Sequence, residues 1–447
     1  MYENKKILVA GALGKSGRAA AELYLELGAQ VIVWDESQDP LPEHLNSSES
    51  IQDARSESEK ALIEKYNPDF IVTSPGIPLT HPLFLFAEKK GIPVYGETDL
   101  AFRIMEERTG SKPLIAGITG TDGKSTTTAL LAHLLNECGL KAIPCGNFGL
   151  PLSELAKKKS ECYDVYVAEL SSYQLEPLKF LHPEVSMILN LAEDHLDRYR
   201  SMDDYLEAKL HILNLQTEQD LMIAPPEIIG AAENYLKNRL DQKVRMKSPP
   251  EIRELIHFML FKPVPISGFS LAGNHNLKNL SFALEALADI LKRKSIEISN
   301  EVFLHALQSF KGLPHRFEDL GEKNGIRFIN DSKSTTCQSM VTALESVKDA
   351  GLFLLCGGRN KGIDFSVLKK YSRQIRFFPY GEAGPEIAEI VETRSYADMK
   401  DAFSAAVESA EKAEKAVILL SPGCSSFDLY RSYLERGNHF KSLVESL

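Results

Sequence analysis

Between an apolar run and a helical segment of the chain lies Gly117-Ile118-Thr119-Gly120-Thr121-Asp122-Gly123-Lys124-Ser125-Thr126-Thr127. The apolar run, Leu114 to Ile118, predicts a buried strand, and Thr126 to Leu135 predicts a helix. A strand, a glycine-rich turn and a helix form the context of a phosphate-binding loop, in which backbone N–H groups and the helix N-terminus meet phosphate oxygens. Lys124 would reach the terminal phosphates, and the Ser125 hydroxyl would bind Mg²⁺. We therefore expect a site for a nucleoside triphosphate; the alternative is a glycine-rich turn that binds nothing.

The composition is that of a globular protein with several domains. The 447 residues are too many for one hydrophobic core, and three domains are expected. A formal net charge of −11 argues against a nucleic-acid-binding surface. The six cysteines are scattered and include no Cys-x-x-Cys pair, which favours reduced thiols in a cytoplasmic protein. No segment has the length of a membrane-spanning helix, so we expect no membrane association.

Strands and helices alternate at both ends of the chain, which predicts the α/β class throughout. The first hundred residues begin like a Rossmann domain, but Ala12 stands where the dinucleotide fingerprint needs its first glycine. The charged stretch from Arg103 to Lys112 predicts a linker. We expect a Rossmann-like domain at 1–108, a central P-loop domain with a parallel sheet at 109–312, and a second Rossmann-like α/β domain at 313–447.

Polar residues follow two predicted strands of the central domain. Glu169 ends one strand and would hold Mg²⁺ beside the phosphate loop, unless it is a helix-capping or salt-bridged acid. His195 follows the next strand within Glu193-Asp194-His195, where it is either a metal ligand or an ordinary loop residue. Lys209, inside a helix that begins near Met202, has the pattern of a solvated surface lysine.

The third predicted domain repeats this arrangement at three strand ends. They are Asn330 to Thr336, Gly357 to Gly362 and Ser421 to Phe427, and all present lysine, arginine or hydroxyl groups. Together they predict a pocket for an anionic small molecule, although each has an ordinary loop interpretation. Arg316, at the domain junction, would bind a phosphate or form a structural ion pair.

These motifs, taken in order, resemble the Mur ligase family, the ATP-dependent amide-bond ligases of peptidoglycan synthesis. The matching motifs are Gly120-Thr121-Asp122-Gly123-Lys124-Ser125, Gly146-Asn147, Glu169-Leu170-Ser171-Ser172, Asp194-His195-Leu196-Asp197, Gly273-Asn274-His275-Asn276 and Leu313-Pro314-His315-Arg316. The first of these accounts for Ile118, which stands where the strict phosphate-loop pattern has glycine. Within the family, Asn330 to Thr335 and Ser421 to Ser426 are most similar to the members that add D-glutamate.

The resemblance implies a reaction. ATP would phosphorylate the carboxylate of UDP-N-acetylmuramoyl-L-alanine, and the amine of D-glutamate would attack the acyl phosphate to form an amide. The enzyme would be cytoplasmic and monomeric. Three alternatives remain open: an L-alanine-adding ligase of the family, a ligase similar to folylpolyglutamate synthase, and a non-catalytic, nucleotide-gated binding protein.

The resemblance also implies roles for individual residues. Lys124, Glu169, His195 and Lys209 would be catalytic, and Lys209 would be carbamylated. Two Mg²⁺ ions would be held by Ser125, Glu169, His195 and the carbamylated Lys209. ATP would be bound by Gly120, Thr121, Asp122, Gly123, Lys124, Ser125, Thr126, Asn276, Asn279, Arg316, Asp331 and Lys333. The UDP-sugar would contact Ser16, Asp35, Ser74, Gly76, Asn147 and Ser171. D-glutamate would contact Thr335, Lys361, Ser426, Phe427 and Tyr433. Lys15 and Asn360 depart from the family's usual residues; Lys15 would add a pyrophosphate contact or face solvent.

Overall fold

The described residues form three sheets with flanking helices, which confirms the α/β class. The computed structural model describes residues 2–37, 39–110, 113–158, 162–195, 198–239, 243–249, 274–347, 351–360 and 362–447. The chain divides into two compact units. One unit contains Met1–Phe269 and Lys278–Phe310, and the other contains Ser270–Leu277 and Lys311–Leu447. Each predicted domain contains one sheet, and the domain boundaries themselves stay predictions.

The first sheet is parallel, with strand order β3-β2-β1-β4-β5. Its strands are β1 (Lys6–Ala10), β2 (Gln30–Trp34), β3 (Ile51–Asp53), β4 (Phe70–Thr73) and β5 (Val94–Gly96). The helices are α1 (Lys15–Glu26), α2 (Glu43–Asn46), α3 (Glu59–Tyr66), α4 (Pro82–Lys89) and α5 (Glu97–Thr109). The apolar runs of β1 and β2 are almost wholly buried, as expected for strands covered on both faces.

The second sheet is also parallel, with strand order β11-β10-β9-β6-β8-β7. Its strands are β6 (Leu114–Thr119), β7 (Ala142–Gly146), β8 (Val165–Glu169), β9 (Val185–Ile188), β10 (Leu221–Ile223) and β11 (Arg245–Lys247). The helices are α6 (Lys124–Glu137), α7 (Leu152–Lys157), α8 (Ser172–Leu175), α9 (Met202–Leu210), α10 (Pro226–Arg239), α11 (Asn274–Lys294) and α12 (Asn300–Ser309). Strand β6 lies between β8 and β9, so the phosphate loop, Glu169 and the His195 segment leave the same edge of the sheet.

The third sheet has strand order β12-β13-β16-β14-β15, in which only β12 is antiparallel. Its strands are β12 (Glu318–Lys323), β13 (Ile326–Asn330), β14 (Gly351–Gly357), β15 (Arg376–Tyr380) and β16 (Ala416–Gly423). The helices are α13 (Cys337–Ser346), α14 (Gly384–Val391), α15 (Met399–Ala410) and α16 (Tyr433–Glu445). Strand β16 is buried along its length and pairs with both β13 and β14. The three polar strand ends predicted from the sequence therefore follow neighbouring strands.

The predicted linker from Arg103 is wrong as far as Thr109, because these residues continue helix α5. Ile104 and Met105 face the core that the first two sheets share, while the charged side chains lie on the other face. The charged residues of this segment are spaced so that one helix face stays apolar, which is typical of an amphipathic helix rather than a linker. Within the described part of the chain, no helix is both long and apolar enough to cross a bilayer.

Candidate active site

The phosphate loop joins the end of β6 to the first turn of α6. Gly123 precedes the helix with φ of +82°, a left-handed conformation that favours glycine. The Lys124 Nζ lies over the loop and donates to the carbonyl oxygens of Gly120 and Thr121, at 2.9 and 2.6 Å. Because the lysine turns back over the loop, its charge stands where phosphate oxygens would enter.

Asn190 holds the loop in place and was not among the predicted residues. Its Oδ1 accepts the backbone N–H groups of Thr121 and Asp122, at 3.1 and 2.8 Å, and its Nδ2 donates to the Asp122 carbonyl at 3.0 Å. Asn190 follows β9, which pairs with β6. Its position at a strand end beside the loop could have indicated this role. His195 and the acidic residues before it were instead selected from the sequence.

Ser125 and Glu169 form a buried oxygen pair at the base of the loop. The Ser125 Oγ donates to Glu169 Oε2 at 2.5 Å, and Asn147 Nδ2 donates to Glu169 Oε1 at 2.7 Å. Glu169 is 2% exposed. A hydroxyl and a carboxylate that meet within hydrogen-bond distance suit Mg²⁺, which prefers oxygen ligands. The structure thus places Asn147 against the predicted metal ligand.

Lys209 is buried, and its prediction from composition as a surface lysine is wrong. The side chain is 1% exposed, its Nζ donates to the Gly120 carbonyl at 2.8 Å, and it lies 4.1 Å from the Tyr205 ring centroid. Burial lowers the pKa of Lys209 to about 7, and the nearby charge of Lys124 acts in the same direction. Since Lys124 and Lys209 donate to the same carbonyl oxygen, two like charges meet there.

His195 lies in a tight turn lined by aromatic rings. Its φ is +57°, and its carbonyl accepts the backbone N–H groups of Arg198 and Tyr199, both at 3.0 Å. The imidazole lies 4.8 Å from the Tyr173 ring and 3.4 Å from the Asp194 carboxylate. Among the described residues no three His, Cys, Asp or Glu side chains converge on one point. A second ion at His195 would therefore need ligands from another source, such as the substrate or a modified lysine.

Four of the residues predicted to contact the UDP-sugar follow strands of the first sheet: Ser16 follows β1, Asp35 follows β2, and Ser74 and Gly76 follow β4. Asp35 accepts the backbone N–H groups of Leu13 and Ser37, at 2.8 and 3.0 Å, so it supports the first glycine turn. Ser74 Oγ donates to the Gly11 carbonyl at 2.9 Å. Ser16 is half-buried in the first turn of α1, and Gly76 is exposed.

Lys15 and Ser171 also form hydrogen bonds within the protein. Lys15 is exposed, as one of the two interpretations expects, and its Nζ donates to the Gly149 carbonyl at 2.7 Å. The pyrophosphate contact stays a prediction. Ser171 caps helix α8: its Oγ accepts the Gln174 N–H, and the Gln174 side chain accepts the Ser171 N–H in return. The Ser171 hydroxyl thus has a local structural task.

Asp331 lies where β13 ends, in the second unit. Its carboxyl accepts the Phe317 N–H at 3.1 Å and the Ser421 hydroxyl at 2.9 Å. Burial raises the pKa of Asp331 to about 7, against the lowering influence of those hydrogen bonds and of Arg316. His315 and Phe317, on either side of Arg316, both have positive φ, at +63° and +50°. This backbone fixes the direction of the predicted nucleotide contact.

The residues predicted for D-glutamate lie on the same unit. The Tyr433 ring centroid lies 4.6 Å from the Nζ of Lys333, a predicted nucleotide contact, and Ser426 is buried. Phe427 is 57% exposed and Thr335 is half-buried. Lys361 lies outside the described residues.

Helix α16 organises these strand ends, which the sequence did not predict. The fully buried Arg436 donates to the Ser332 hydroxyl, the Ser332 carbonyl and the Cys424 carbonyl, at 3.1, 2.8 and 3.1 Å. Gly437 packs on His315: a Cβ there would stand 2.2 Å from the imidazole Nδ1. Arg436 and Gly437 therefore join two of the strand ends and the His315 segment, which are far apart in sequence.

Replacing Gly123 with alanine is expected to weaken ATP binding. The new Cβ would stand 2.4 Å from Asn279 Oδ1, so the predicted nucleotide contact would have to move. The positive φ adds roughly 1–2 kcal/mol of strain. We expect the KM for ATP to rise about 10-fold, the effect of a loss of about 1.4 kcal/mol.

Gly139→Ala is the matched control for this substitution. Gly139 has φ of +87° just beyond α6, and among the described residues, its chain neighbours apart, no atom lies within 4 Å of the position that an alanine Cβ would take. Thermal unfolding and steady-state kinetics should show similar losses of stability in both variants but a raised KM for ATP only in Gly123→Ala. Equal KM values would contradict a nucleotide role for this contact.

Comparison with known proteins defines the class to which this fold and site correspond. The family model described as "Mur ligase middle domain" matches residues 118–287, and "Mur ligase MurD-like, N-terminal domain" matches residues 5–96. The chain belongs to the Mur ligase family.

Relatives of the same length share one name. The UDP-N-acetylmuramoylalanine–D-glutamate ligase of Alkaliphilus metalliredigens is 34% identical over 465 aligned residues, which cover 100% of this chain and 99% of that protein. The ligase of the same name from Aquifex aeolicus is also 34% identical and covers 98% of each chain. The one from Streptococcus mutans is 33% identical over 100% of this chain and 98% of its own.

Solved structures share the fold at lower identity. UDP-N-acetylmuramate–alanine ligase MurC from Thermotoga maritima is 17% identical with a TM-score of 0.57, covering 99% of this chain and 100% of its own. MurF ligase from the same organism, solved in complex with ADP, is 15% identical with a TM-score of 0.59, covering 99% and 96%. These likenesses support the three-sheet architecture alone.

Proposed function

We propose that this protein is an ATP-dependent ligase that joins D-glutamate to UDP-N-acetylmuramoyl-L-alanine in the cytoplasm. The observation that carries the ligase chemistry is the buried Ser125–Glu169 pair behind the phosphate loop. The choice of D-glutamate is supported by full-length relatives of that name at 33 to 34% identity. It also agrees with the Asn330 to Thr335 segment, whose sequence is similar to that of D-glutamate-adding members.

A carboxylate is a poor acyl donor, so ATP supplies a phosphate leaving group before the amide forms. The carboxylate oxygen of the UDP-sugar substrate attacks the γ-phosphorus of ATP, and ADP leaves. The neutral amine of D-glutamate then attacks the acyl carbon, a tetrahedral intermediate forms, and the amide is complete when inorganic phosphate leaves and the nitrogen releases a proton to solvent. The loop amides and Lys124 hold the transferring phosphate, which is a matter of positioning and charge neutralisation.

Ser125 and Glu169 would hold the first Mg²⁺. Bound Mg²⁺ neutralises charge on the phosphate oxygens. Asn147 fixes the Glu169 carboxylate from its other oxygen, and Asn190 fixes the loop backbone, so the ligand geometry is set before any nucleotide binds.

We further propose that Lys209 is carbamylated and helps His195 to hold a second Mg²⁺. In this modification the neutral amine attacks the carbon of CO₂, an N–C bond forms and a proton leaves to solvent. A pKa of about 7 makes the neutral amine available near neutral pH. The change also replaces one of two cations at the Gly120 carbonyl with an anion, which removes their repulsion.

Thr335, Lys361, Ser426, Phe427 and Tyr433 are proposed as the D-glutamate contacts, and Arg316, Asp331 and Lys333 as nucleotide contacts. Lysine and hydroxyl groups suit the two carboxylates of the amino acid. The Lys333 ammonium beside the Tyr433 ring keeps one cation at this surface of the second unit.

Phosphate release with each candidate substrate tests the function. We expect release only when ATP, Mg²⁺, UDP-N-acetylmuramoyl-L-alanine and D-glutamate are all present, and mass spectrometry should detect the dipeptide product. L-glutamate is the matched control. Release with L-alanine and UDP-N-acetylmuramate, but not with D-glutamate, would identify the L-alanine-adding alternative. ATP binding without any release would favour the nucleotide-gated binding protein.

A further inference from the structure

A largely buried ion pair connects the His195 turn to the segment predicted to bind the UDP-sugar. Arg198 Nε and Nη2 donate to the two carboxylate oxygens of Glu176, at 3.1 and 2.5 Å. The Tyr199 hydroxyl donates to the same carboxylate at 2.7 Å. The side chains of Arg198 and Glu176 are only 12% and 16% exposed. Such a two-point pair fixes the plane of the guanidinium as well as its position.

The guanidinium contacts both neighbouring segments. Its Cζ lies 4.2 Å from the Tyr173 ring centroid, and that ring lies 4.8 Å from the His195 imidazole. On its other side, Nη1 is 3.4 Å from the Pro75 carbonyl and 3.5 Å from the Gly76 carbonyl. These two contacts are long for hydrogen bonds, but a shielded cation still attracts carbonyl dipoles at this distance.

The same groups line one cavity of the first unit. Ser74, Pro75, Tyr173, Gln174, Glu176 and Arg198 all contribute to its wall. The backbone N–H groups of Arg198 and Tyr199 also hold the carbonyl of His195, so a shift of Arg198 would be transmitted to the turn directly.

We propose that Arg198, oriented by Glu176, is a positioning residue that sets the His195 turn and the Pro75–Gly76 backbone in one geometry. It would thereby act on binding of the UDP-sugar substrate and of the metal ion at His195, while leaving the phosphate loop unaffected. This inference rests on the proposed function, since it takes the UDP-sugar as the ligand of the 74–76 segment. The Arg198–Glu176 pair would then support substrate and metal binding, in addition to its contacts with the Pro75–Gly76 backbone.

Arg198→Lys tests the proposal because it keeps the charge but loses the planar, two-point contact. We expect the KM for UDP-N-acetylmuramoyl-L-alanine and the Mg²⁺ concentration at half-maximal rate each to rise about 10-fold, as for other supports of a metal ligand. The KM for ATP should stay within about 2-fold, because the hydrogen bonds described for the loop run to Asn190, Glu169 and Lys209 rather than to Arg198. Calorimetric titration with the UDP-sugar alone should show the same loss of affinity without turnover.

Arg103→Lys is the matched control. Arg103 also pairs with a glutamate, Glu107, at 3.0 Å and lies 4.7 Å from an aromatic ring centroid, that of Phe180, in the same unit. Its substitution should change none of these constants. If Arg198→Lys does not fold, the double variant Arg198→Met with Glu176→Gln removes both charges together and is measured in the same way.

The outcomes separate the two claims. A wild-type protein that neither binds the UDP-sugar nor turns over would overturn the proposed function, and the inference with it. With an active wild type, variants that lower the unfolding temperature but leave the substrate and Mg²⁺ constants unchanged would show a purely structural pair. A KM for ATP that rises as much as that for the UDP-sugar would indicate general distortion and would also overturn the inference.

Discussion

Lys209→Ala is expected to lower the rate of D-glutamate-dependent phosphate release by at least about 100-fold, the upper range for loss of a metal-site support. The wild-type side chain is buried beneath the phosphate loop and contacts the Gly120 carbonyl. If the Lys209 nitrogen carries a carbamate, the alanine substitution removes an anionic metal ligand. It leaves a space about the size of the lost carbamylated side chain.

Short carboxylates should refill that space. Acetate or propionate presents the two oxygens of the missing carbamate, so we expect each to restore part of the activity of Lys209→Ala in a concentration-dependent way. Neither should accelerate the wild-type enzyme. Chloride at equal concentration controls for ionic strength, and it should not restore the activity of Lys209→Ala.

Lys124→Ala is the matched control for this experiment. Both lysine nitrogens lie at the Gly120 carbonyl, so both substitutions remove a side chain from the same place. Lys124 is proposed to act as a cation toward phosphate, and a carboxylate cannot replace it. Rescue of both variants, or full activity of Lys209→Ala without additives, would contradict the carbamate.

The dependence on CO₂ offers a separate measurement. Wild-type enzyme prepared under CO₂-free conditions should lose activity and regain it with bicarbonate but not with acetate, whereas both anions should partly restore Lys209→Ala. Because the amine must be neutral to react, recovery should be faster above pH 7 than below it, in line with the lowered pKa of Lys209.

The predictability of each site residue from sequence depends on how local its interactions are. The strand, turn and helix around Gly123 were predicted because they are contiguous and have their own period and turn chemistry. Glu169 was predicted because parallel strands end at one edge of the sheet. Lys209 was not predictable from its spacing: it sits on a short helix whose pattern resembles a surface element, and only the resemblance to the family indicated a role.

Asn190, Arg436 and Gly437 form the other group, which sequence reasoning missed entirely. Asn190 acts on a loop about 70 positions earlier, and Arg436 acts on Ser332, 104 positions earlier. No local pattern contains such distances. In sequence, Arg436 has the pattern of a surface residue and Gly437 that of a residue that destabilises its helix. Glycine is required at 437 because the His315 imidazole packs against it.

Asp331→Asn is expected to make the protein more stable than the wild type above about pH 7. The pKa of Asp331 is 3.8 in an ordinary environment and is raised to about 7 in the folded chain, mainly by burial. Below about pH 4 the Asp331 carboxyl is protonated in both the folded and the unfolded chain, so it does not change the free energy of unfolding. Between pH 4 and 7 the unfolded chain releases this proton while the folded chain retains it, so wild-type stability falls as pH rises.

Asparagine does not titrate and preserves the contacts. Its Oδ1 can accept the Phe317 N–H, and its amide can donate to the Ser421 oxygen. A rise of the Asp331 pKa from 3.8 to about 7 corresponds to about 4 kcal/mol of unfolding free energy, and since the residue as a whole is only half-buried, we expect about half of that. The difference in unfolding temperature between variant and wild type should therefore grow from pH 4 to 7 and then level off.

Asp53→Asn should give the opposite slope. Hydrogen bonds from Arg55 hold the pKa of Asp53 below its ordinary value, so the wild-type carboxylate contributes stability that is lost as pH falls. Differential scanning calorimetry of both variants over pH 2 to 8 compares the two, because the Asp53 contribution is lost below about pH 4 and the Asp331 penalty grows above it. A difference for Asp331→Asn that does not change with pH would mean that the carboxylate is ionised and well solvated in the folded protein. If Asp331→Asn also raises the KM for ATP while stabilising the chain, the aspartate is retained for nucleotide binding at the expense of stability.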